Sequence, residues 1–263
     1  MSNGTETAGD FAVHVFAVAD AEFRKLVHDP LELFSRAVQP VLWLVLFGEV
    51  MARVRGITAQ GERYLDFLAP GILAQSVLFV SIFYGISAIW ERDLGVLHRY
   101  MVSPAPRSAL VLGKALSSNV RALSQALVVY LCALVLGVSM DLHLANIAAV
   151  IVLIVLGSAL FSTFSLIIAC IVRTRERFMG IGQILTMPIF FASNAIYPIG
   201  IMPGWLKTVA LINPLTYEVD GLRAMMLRGS NSAVGLGTDF AVLFLIFGVL
   251  LVVATRMYPR MTE

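Results

Sequence analysis

The chain has 263 residues, of which 59% are hydrophobic and 14% are charged, and its formal net charge is +2. Soluble domains average about 45–50% apolar and about 25% charged residues, so the composition excludes an ordinary soluble domain and predicts an all-α protein that crosses a lipid bilayer several times. A net charge this small gives no electrostatic reason to expect nucleic acid as a partner.

The N-terminal part of the chain predicts no membrane span. Residues 1–10 are polar and acidic, so we expect a disordered N-terminus without the basic start of a signal peptide. Residues 11–29 mix apolar and charged side chains, which is typical of a helix that lies in the membrane interface. From residue 11 to residue 263 we expect a single transmembrane domain.

Six apolar stretches approach or exceed the roughly 20 residues that a bilayer needs. They are predicted at residues 33–52, 68–90, 116–138, 146–172, 179–197 and 238–255. Thirteen of the 19 Lys and Arg residues fall on the side that holds both termini. Because short cytoplasmic loops are enriched in Lys and Arg, both termini are predicted in the cytoplasm. Arginine-rich, alanine-rich composition favours a bacterial source and therefore the cytoplasmic (inner) membrane.

The segment 90–103, between the second and third spans, predicts a short amphipathic helix. Trp90, Leu94 and Leu97 recur at helical spacing on one stripe, which Met101 continues. Ser103-Pro104 ends the helix, because proline removes an amide donor and restricts the residue before it. We expect the apolar stripe to pack on the membrane domain and the charged face to meet a partner.

Residues 198–228, between the fifth and sixth spans, do not follow the pattern of a loop. Pro198 and Pro203 break the helix, and the apolar run 205–212 is too short to span. Broken backbone at membrane depth survives only against protein or a cavity. We therefore expect a re-entrant segment that closes at Asn213-Pro214 and continues as an amphipathic helix.

Two motifs resemble the permease subunits of the type-2 ABC exporter family, which carry drugs, lipids or lipid-linked glycans. The first is the order E-R, G, L-x-R, S-P-x-P-R and L-G-K over residues 91–114, and the second is I-N-P-L-T-Y-E-V-D-G-L-R over residues 212–223. The resemblance implies that the first segment is a coupling helix that docks in a separate ATPase subunit, where ATP and Mg bind. It also implies a pair of permeases, either a homodimer or a heterodimer.

The resemblance assigns roles to two groups of residues. Those for ATPase coupling are Trp90, Glu91, Arg92, Leu94, Gly95, Leu97, His98, Arg99, Met101, Ser103, Pro104 and Arg107. Those that would close the re-entrant segment are Asn213, Pro214, Tyr217, Asp220 and Arg223.

The chain lacks the motifs of a catalyst. Gly113-Lys114 is followed by alanine and has no upstream glycine, so no phosphate-binding loop is formed. The four histidines have no metal-ligand spacing. The paired carboxylates Glu91/Asp93 and Glu218/Asp220 lie near arginines, which favours ion pairing or solvation. We therefore expect no catalytic residue, metal or cofactor in this chain, and no enzymatic activity of the chain alone.

The leading hypothesis is the permease subunit of an ATP-driven exporter for a hydrophobic or amphiphilic substrate. Phe190, Phe191, Asn194 and Tyr197, near the re-entrant break, are candidate pathway residues, because aromatic rings suit apolar or sugar-bearing cargo. Two alternatives stay open. An ion-coupled carrier would need ionisable groups near the bilayer midplane or paired broken helices, and a membrane-embedded transferase would need reactive polar residues at one membrane face.

Overall fold

The computed structural model describes residues 38–51, 63–95, 107–172 and 174–258. Within these ranges the chain is almost entirely helical, and an isolated bridge between Met140 and Leu227 is the only β feature. The helices are α1 Gly48–Met51, α2 Tyr64–Tyr84, α3 Ile86–Asp93, α4 Arg107–Val135, α5 Leu144–Ile171, α6 Arg175–Phe191, α7 Gly204–Ile212, α8 Pro214–Met226 and α9 Leu236–Met257. The prediction of an all-α fold is confirmed for the described residues.

Four helical stretches in the described ranges are long and apolar enough to cross a membrane. They are Tyr64–Asp93, Val111–Val135, Leu144–Ile171 and Leu236–Met257. They correspond to the second, third, fourth and sixth predicted spans. The second begins earlier than predicted because Tyr64, Leu65 and Phe67 are buried in the core. Asp66 lies in the first turn, where its carboxylate interacts favourably with the positive end of the helix dipole.

The fifth predicted span is shorter in the structure, and the first lies only partly within the described residues. Residues 38–51 are helical, with a π-helical turn Trp43–Phe47, and residues 33–37 lie outside the described part. Helix α6 has 17 residues, about 25 Å at 1.5 Å per residue. It ends at Phe191 because Ser193 folds back, donating from Oγ to the Phe190 carbonyl and accepting from the Ala195 amide. The count of six spans stays a prediction.

Helix α2 lies at the centre of the fold and packs against α4, α5, α6 and α8. Small residues let these helices approach closely, as is usual inside membranes. The Ser81 hydroxyl donates to Ser158 Oγ at 3.0 Å, and Ser118 Oγ lies 2.9 Å from the same atom. Three helices therefore meet at one buried hydroxyl cluster.

The bundle has two ends, which we name after one residue each. At the Trp90 end, α3 finishes, α6 begins and the first turns of α4 lie alongside. At the Ser139 end, Asp66 accepts hydrogen bonds from the Ser139 amide and hydroxyl, both at 3.1 Å. Arg63 donates to the Gly137 carbonyl there at 2.9 Å.

The segment 192–228 starts and finishes at the Ser139 end. Near its start, the Tyr64 hydroxyl donates to the Ile196 carbonyl at 2.9 Å. At its finish, the Met226 carbonyl accepts from the Asp141 amide at 2.8 Å, and the Arg228 amide donates to the Ser139 carbonyl at 3.0 Å. Helix α7 has nine residues, about 14 Å, and cannot cross a bilayer.

The corner between α7 and α8 is fixed by one asparagine. Asn213 Oδ1 accepts from the Leu215 amide at 3.0 Å, which caps α8, and Pro214 occupies the first helical position, where its missing amide costs nothing. Asn213 Nδ2 donates to the Ile189 carbonyl at 2.6 Å. The same side chain therefore starts α8 and attaches it to α6.

Candidate functional site

The last turn of α3 exposes its apolar side chains. Trp90 is 47% exposed and Leu94 is 69% exposed. The expectation that the stripe packs back on the membrane domain is wrong for these two residues. The reason is that α3 continues α2 almost without interruption, so its rotation is set by the buried Ala88 and Ile89.

The charged side of the same turn contacts the bundle. Lys114 Nζ, on α4, lies 2.5 Å from Glu91 Oε2, and Lys114 is only 8% exposed. Removing either partner would leave a charge in a largely desolvated place, which costs more than losing a surface pair. Glu91 therefore ties the end of α3 to α4.

Arg175, the first residue of α6, completes the exposed surface at the Trp90 end. Its Nη2 and Nε lie 2.9 and 3.1 Å from Asp93 Oδ2, and its guanidinium carbon lies 3.5 Å from the centre of the Trp90 ring. This is a cation–π contact combined with a charge-assisted hydrogen bond. Arg175 was not among the predicted coupling residues, although the run of basic residues at 173–177 in the sequence was a signal. We call Trp90, Asp93, Leu94 and Arg175 the Trp90 cluster.

The predicted coupling helix is interrupted early. Gly95 has φ +69° and its amide donates to the Arg92 carbonyl at 3.0 Å, an arrangement typical of a glycine that ends a helix. The helical turn that contains Trp90 therefore belongs to the second span. Arg107 is the first residue of α4. The remaining predicted coupling residues lie outside the described part of the chain: Leu97, His98, Arg99, Met101, Ser103 and Pro104.

The four predicted pathway residues lie around the end of α6. Phe190 is fully buried and its ring meets Trp43 edge-on at 6.0 Å, so it serves packing. Phe191 is partly exposed beside the same tryptophan. The Tyr197 hydroxyl donates to the Phe191 carbonyl, while Asn194 is buried.

A cavity of about 460 Å³, lined by several polar and charged side chains, opens at the Ser139 end. Asn194, Asp220 and Arg223 all line it, so residues from both predicted groups meet there. Arg223 Nη2 donates to the Asn194 carbonyl at 2.9 Å, and the guanidinium carbon lies 3.9 Å from the centre of the Phe67 ring. Tyr217 instead donates to the Leu211 carbonyl at 2.7 Å, near the α7–α8 corner.

A second cavity, of about 440 Å³, lies toward the Trp90 end between residues 39–40, α2, α4 and α6. We call it the glutamine cavity. Its described lining carries no charged side chain and consists of Gln39, Pro40, Gln75, Ser76, Phe79, Val80, Phe83, Ile86, Gln125, Met179 and Gln183. This cavity was not predicted from the sequence, although several glutamines within apolar runs were a usable signal.

Glu218 corrects another expectation. It is fully buried, and neither carboxylate oxygen has a hydrogen-bond partner among the described residues. The interpretation of this residue as ion-paired or solvated is wrong. Its neighbour Asp220 is satisfied by the Val234 amide at 3.0 Å and the Ser232 hydroxyl at 2.9 Å.

Comparison with known proteins decides the family. A sequence model of the ABC-2 type transporter family matches residues 13–227. These residues include the Trp90 cluster, the helices α2 and α6 that help to line the glutamine cavity, and α8. This chain belongs to the ABC-2 type transporter family. The resemblance drawn from the two motifs is therefore confirmed, and the protein is a membrane permease subunit of an ABC transporter.

Individual relatives carry names of the same kind. The chain is 28% identical over 222 residues to "Putative transport permease ycf38" of Cyanophora paradoxa, covering 84% of this chain and 76% of the relative. It is 27% identical over 201 residues to "Daunorubicin resistance ABC transporter permease protein DrrB1" of Streptomyces coeruleorubidus, covering 76% and 70%. It is 24% identical over 205 residues to "Probable doxorubicin resistance ABC transporter permease protein DrrC" of Mycobacterium tuberculosis, covering 76% and 72%.

Proposed function

We propose that this ABC-2 permease exports a hydrophobic or amphiphilic substrate from the cytoplasm and is driven by a separate ABC ATPase that docks at the Trp90 end. The match to the family over residues 13–227 is the observation that carries the proposal. The chain itself has no phosphate-binding loop. ATP and Mg therefore belong to the partner subunit.

The Trp90 end faces the cytoplasm in this proposal. It carries Lys114, Arg175 and Arg177, and the positive-inside tendency places such residues on the cytoplasmic side. With six spans, both termini are cytoplasmic, and residues 198–228 form the re-entrant segment from the outside. The permease works in the cytoplasmic membrane of a bacterium as a homodimer or with a second permease.

The Trp90 cluster suits an ATPase contact. Tryptophan and arginine are the residue types most enriched among the energetically dominant residues of protein interfaces. Here the exposed ring of Trp90, at the start of the predicted coupling segment, is stacked against the half-buried Arg175 at the start of α6. Glu91 and Lys114 would pass a displacement of this turn to α4 through a short ion pair.

The glutamine cavity is the proposed uptake site. Its amide groups offer donors and acceptors beside the rings of Phe79 and Phe83, with no charge in the described lining. Such a lining suits a flat ring system that carries hydroxyl and carbonyl groups. The names of two relatives mention daunorubicin and doxorubicin resistance, so a drug is favoured over a lipid or a lipid-linked glycan. The cavity at the Ser139 end would then receive the substrate for release.

The test is transport in vesicles. The permease is co-expressed with a candidate ABC ATPase, and the purified complex is reconstituted with the ATPase outside. We expect ATP and Mg to drive daunorubicin into the vesicles, and a complex whose ATPase cannot hydrolyse ATP to fail. A fluorescent lipid serves as the second substrate. Lack of uptake of both, together with lack of co-purification, would contradict the proposal.

A second experiment tests the alternative that the protein is an ion-coupled carrier. The buried Glu218 is a reason for this test, because such a carrier needs ionisable groups inside the membrane. Vesicles that contain the permease without an ATPase are given an imposed pH gradient. We expect no substrate accumulation. Accumulation without ATP would favour a secondary carrier over an ABC exporter.

Sidedness is tested by single cysteines in a variant without Cys132 and Cys170. Thr174, at the Trp90 end, and Lys207, in α7, are both exposed. We expect an impermeant thiol reagent on whole cells to label the cysteine at position 207 and not the one at position 174. The reverse pattern would move the ATPase contact away from the Trp90 end.

A further inference from the structure

Glu218 occupies a niche that α5 provides. A Cβ atom placed on Gly157 would lie 2.2–2.5 Å from the carboxyl carbon and both oxygens of Glu218. The carboxyl group therefore takes the space that any larger residue at position 157 would fill. The contact brings one acidic side chain of α8 directly against the backbone of α5.

The niche lies deep in the bundle. Gly157 is 13 residues from the start of α5 at Leu144, which corresponds to about 20 Å along the helix. Glu218 is eight residues before the end of α8, whose last carbonyl is held at the Ser139 end. Measured along these two helices, the carboxyl group is thus about 12–20 Å from the Ser139 end of the bundle.

Charged groups on the elements around α8 are engaged elsewhere. On α8 itself Asp220 accepts from the Val234 amide, and the single hydroxyl of Ser232 lies between Asp220 and Asp239 of α9, at 2.9 and 2.8 Å from one carboxylate oxygen of each. On α2, Asp66 accepts from Ser139. Arg223 donates to the Asn194 and Phe67 carbonyls. Helix α5 has no Asp, Glu, Lys, Arg or His between Leu144 and Ile171, and α7 has only Lys207, which is exposed.

An ionised carboxylate in such a place would have no compensating partner within the described part of the chain. Burying an unpaired charge in an apolar interior costs far more than burying a neutral polar group, so the group takes up a proton instead. A hard metal cation needs about six or more oxygen ligands, and among the described residues the niche offers the two unpartnered carboxylate oxygens of Glu218. A proton needs only one of them.

We propose that Glu218 is a proton-binding site between α5 and α8, and that it holds its proton while these helices stay packed. Movement of α8 away from Gly157 would admit water and release the proton. Packing of α5 on α8 is therefore linked to pH. This proposal concerns the permease alone and stands or falls without the ATPase.

Infrared spectroscopy of the purified chain at neutral pH tests the proposal directly. We expect a carbonyl-stretch band of a protonated carboxyl group, present in the wild type and in Asp239→Asn, and absent in Glu218→Gln. Wild-type protein made with ¹³C-carboxyl glutamate needs no variant, and its band should shift. A band that neither Glu218→Gln nor the label changes, or no band at all, would overturn the proposal.

Thermal unfolding gives the second readout. A glutamate in water ionises at about pH 4.3, so a folded state that keeps the proton binds more protons than the unfolded chain, and stability falls as pH rises above that value. We expect the Tm of the wild type to fall by a few degrees relative to Glu218→Gln between about pH 5 and about pH 8. Parallel curves for the two proteins would contradict proton binding by Glu218.

Discussion

The two ends of the bundle are held together in different ways. At the Trp90 end, the contacts between elements are made by side chains: Glu91 with Lys114, and Arg175 with Asp93 and Trp90. At the Ser139 end, most of the connections between described residues use a backbone group, such as the Met226 carbonyl. Side-chain contacts can rearrange without unfolding a helix, whereas backbone contacts cannot move independently of the chain.

This difference indicates which end moves. An ATPase that pushes on the Trp90 end would find exposed side chains that can exchange one partner for another. The Ser139 end would keep α2, the α4–α5 turn and α8 in fixed relative positions. Motion would then pass through the bundle as a tilt of whole helices rather than as local unfolding. The predictions that follow test each end, starting with the largest expected effect on stability.

The fixed region should be very sensitive to added volume. A Cβ atom on Gly71 of α2 would lie 2.2 Å from the Ala195 carbonyl oxygen, and backbone cannot turn aside as a side chain can. We expect Gly71→Ala to destabilise the protein by about 1–3 kcal/mol, measured as a lower Tm in detergent. Gly248→Ala on α9 is the matched control, because nothing lies within 4 Å of its Cβ position. Equal Tm values for both variants would disprove the close contact.

A smaller loss is expected from the carboxylate that joins α2 to the α4–α5 turn. Asp66→Asn keeps one acceptor oxygen but loses the charge that binds the Ser139 amide and hydroxyl. Hydrogen bonds of this kind contribute about 1 kcal/mol each. We expect a Tm lower by a few degrees and unchanged substrate-stimulated ATP hydrolysis per folded complex. Loss of hydrolysis with an unchanged Tm would mean that this end is not simply structural.

The opposite pattern is expected at the Trp90 end. Asp93→Asn removes an exposed ion pair with Arg175, and such pairs contribute about 0–1 kcal/mol to stability. We expect almost no change in Tm but a clear loss of ATP-driven transport, because the Arg175 side chain loses the partner that holds it over Trp90. Glu176→Gln, a neighbouring exposed carboxylate, is the control. Normal transport by Asp93→Asn would remove Asp93 from the coupling surface.

The smallest effect concerns pH at the Ser139 end. The backbone amide of His143 and the side-chain amide of Asn146 donate to Asp141 and lower the pKa of its carboxyl group. A lowered pKa in the folded state adds stability that is present above the unfolded value, about 3.9, and is lost as pH falls through the folded value. We expect Asp141→Asn to have a slightly lower Tm than the wild type at neutral pH, and the difference to close below about pH 4. A constant difference down to pH 3 would contradict this role.

The amount that the sequence predicts differs between these regions. The long apolar helices and the break at Pro198 follow from composition and proline positions, because these are local properties. The exposure of Trp90 does not follow from the sequence. Helical spacing identifies the residues of a stripe, but the direction that the stripe faces depends on the rotation of the continuous α2–α3 helix. The niche at Gly157 joins residues 61 positions apart, and no local pattern reveals it. The glutamine cavity likewise depends on how separate helices pack.

The central claim, ATPase coupling through the Trp90 end, is tested most directly by one pair of tryptophan variants in the reconstituted complex. Trp90 and Trp205 are both exposed, at 47% and 70%, but Trp205 lies on the short helix α7. The measurement is substrate-stimulated ATP hydrolysis by complexes with Trp90→Ala and with Trp205→Ala. We predict that Trp90→Ala loses the stimulation or the ATPase subunit itself, while Trp205→Ala behaves as the wild type. Equal stimulation in both variants would contradict coupling through the Trp90 cluster.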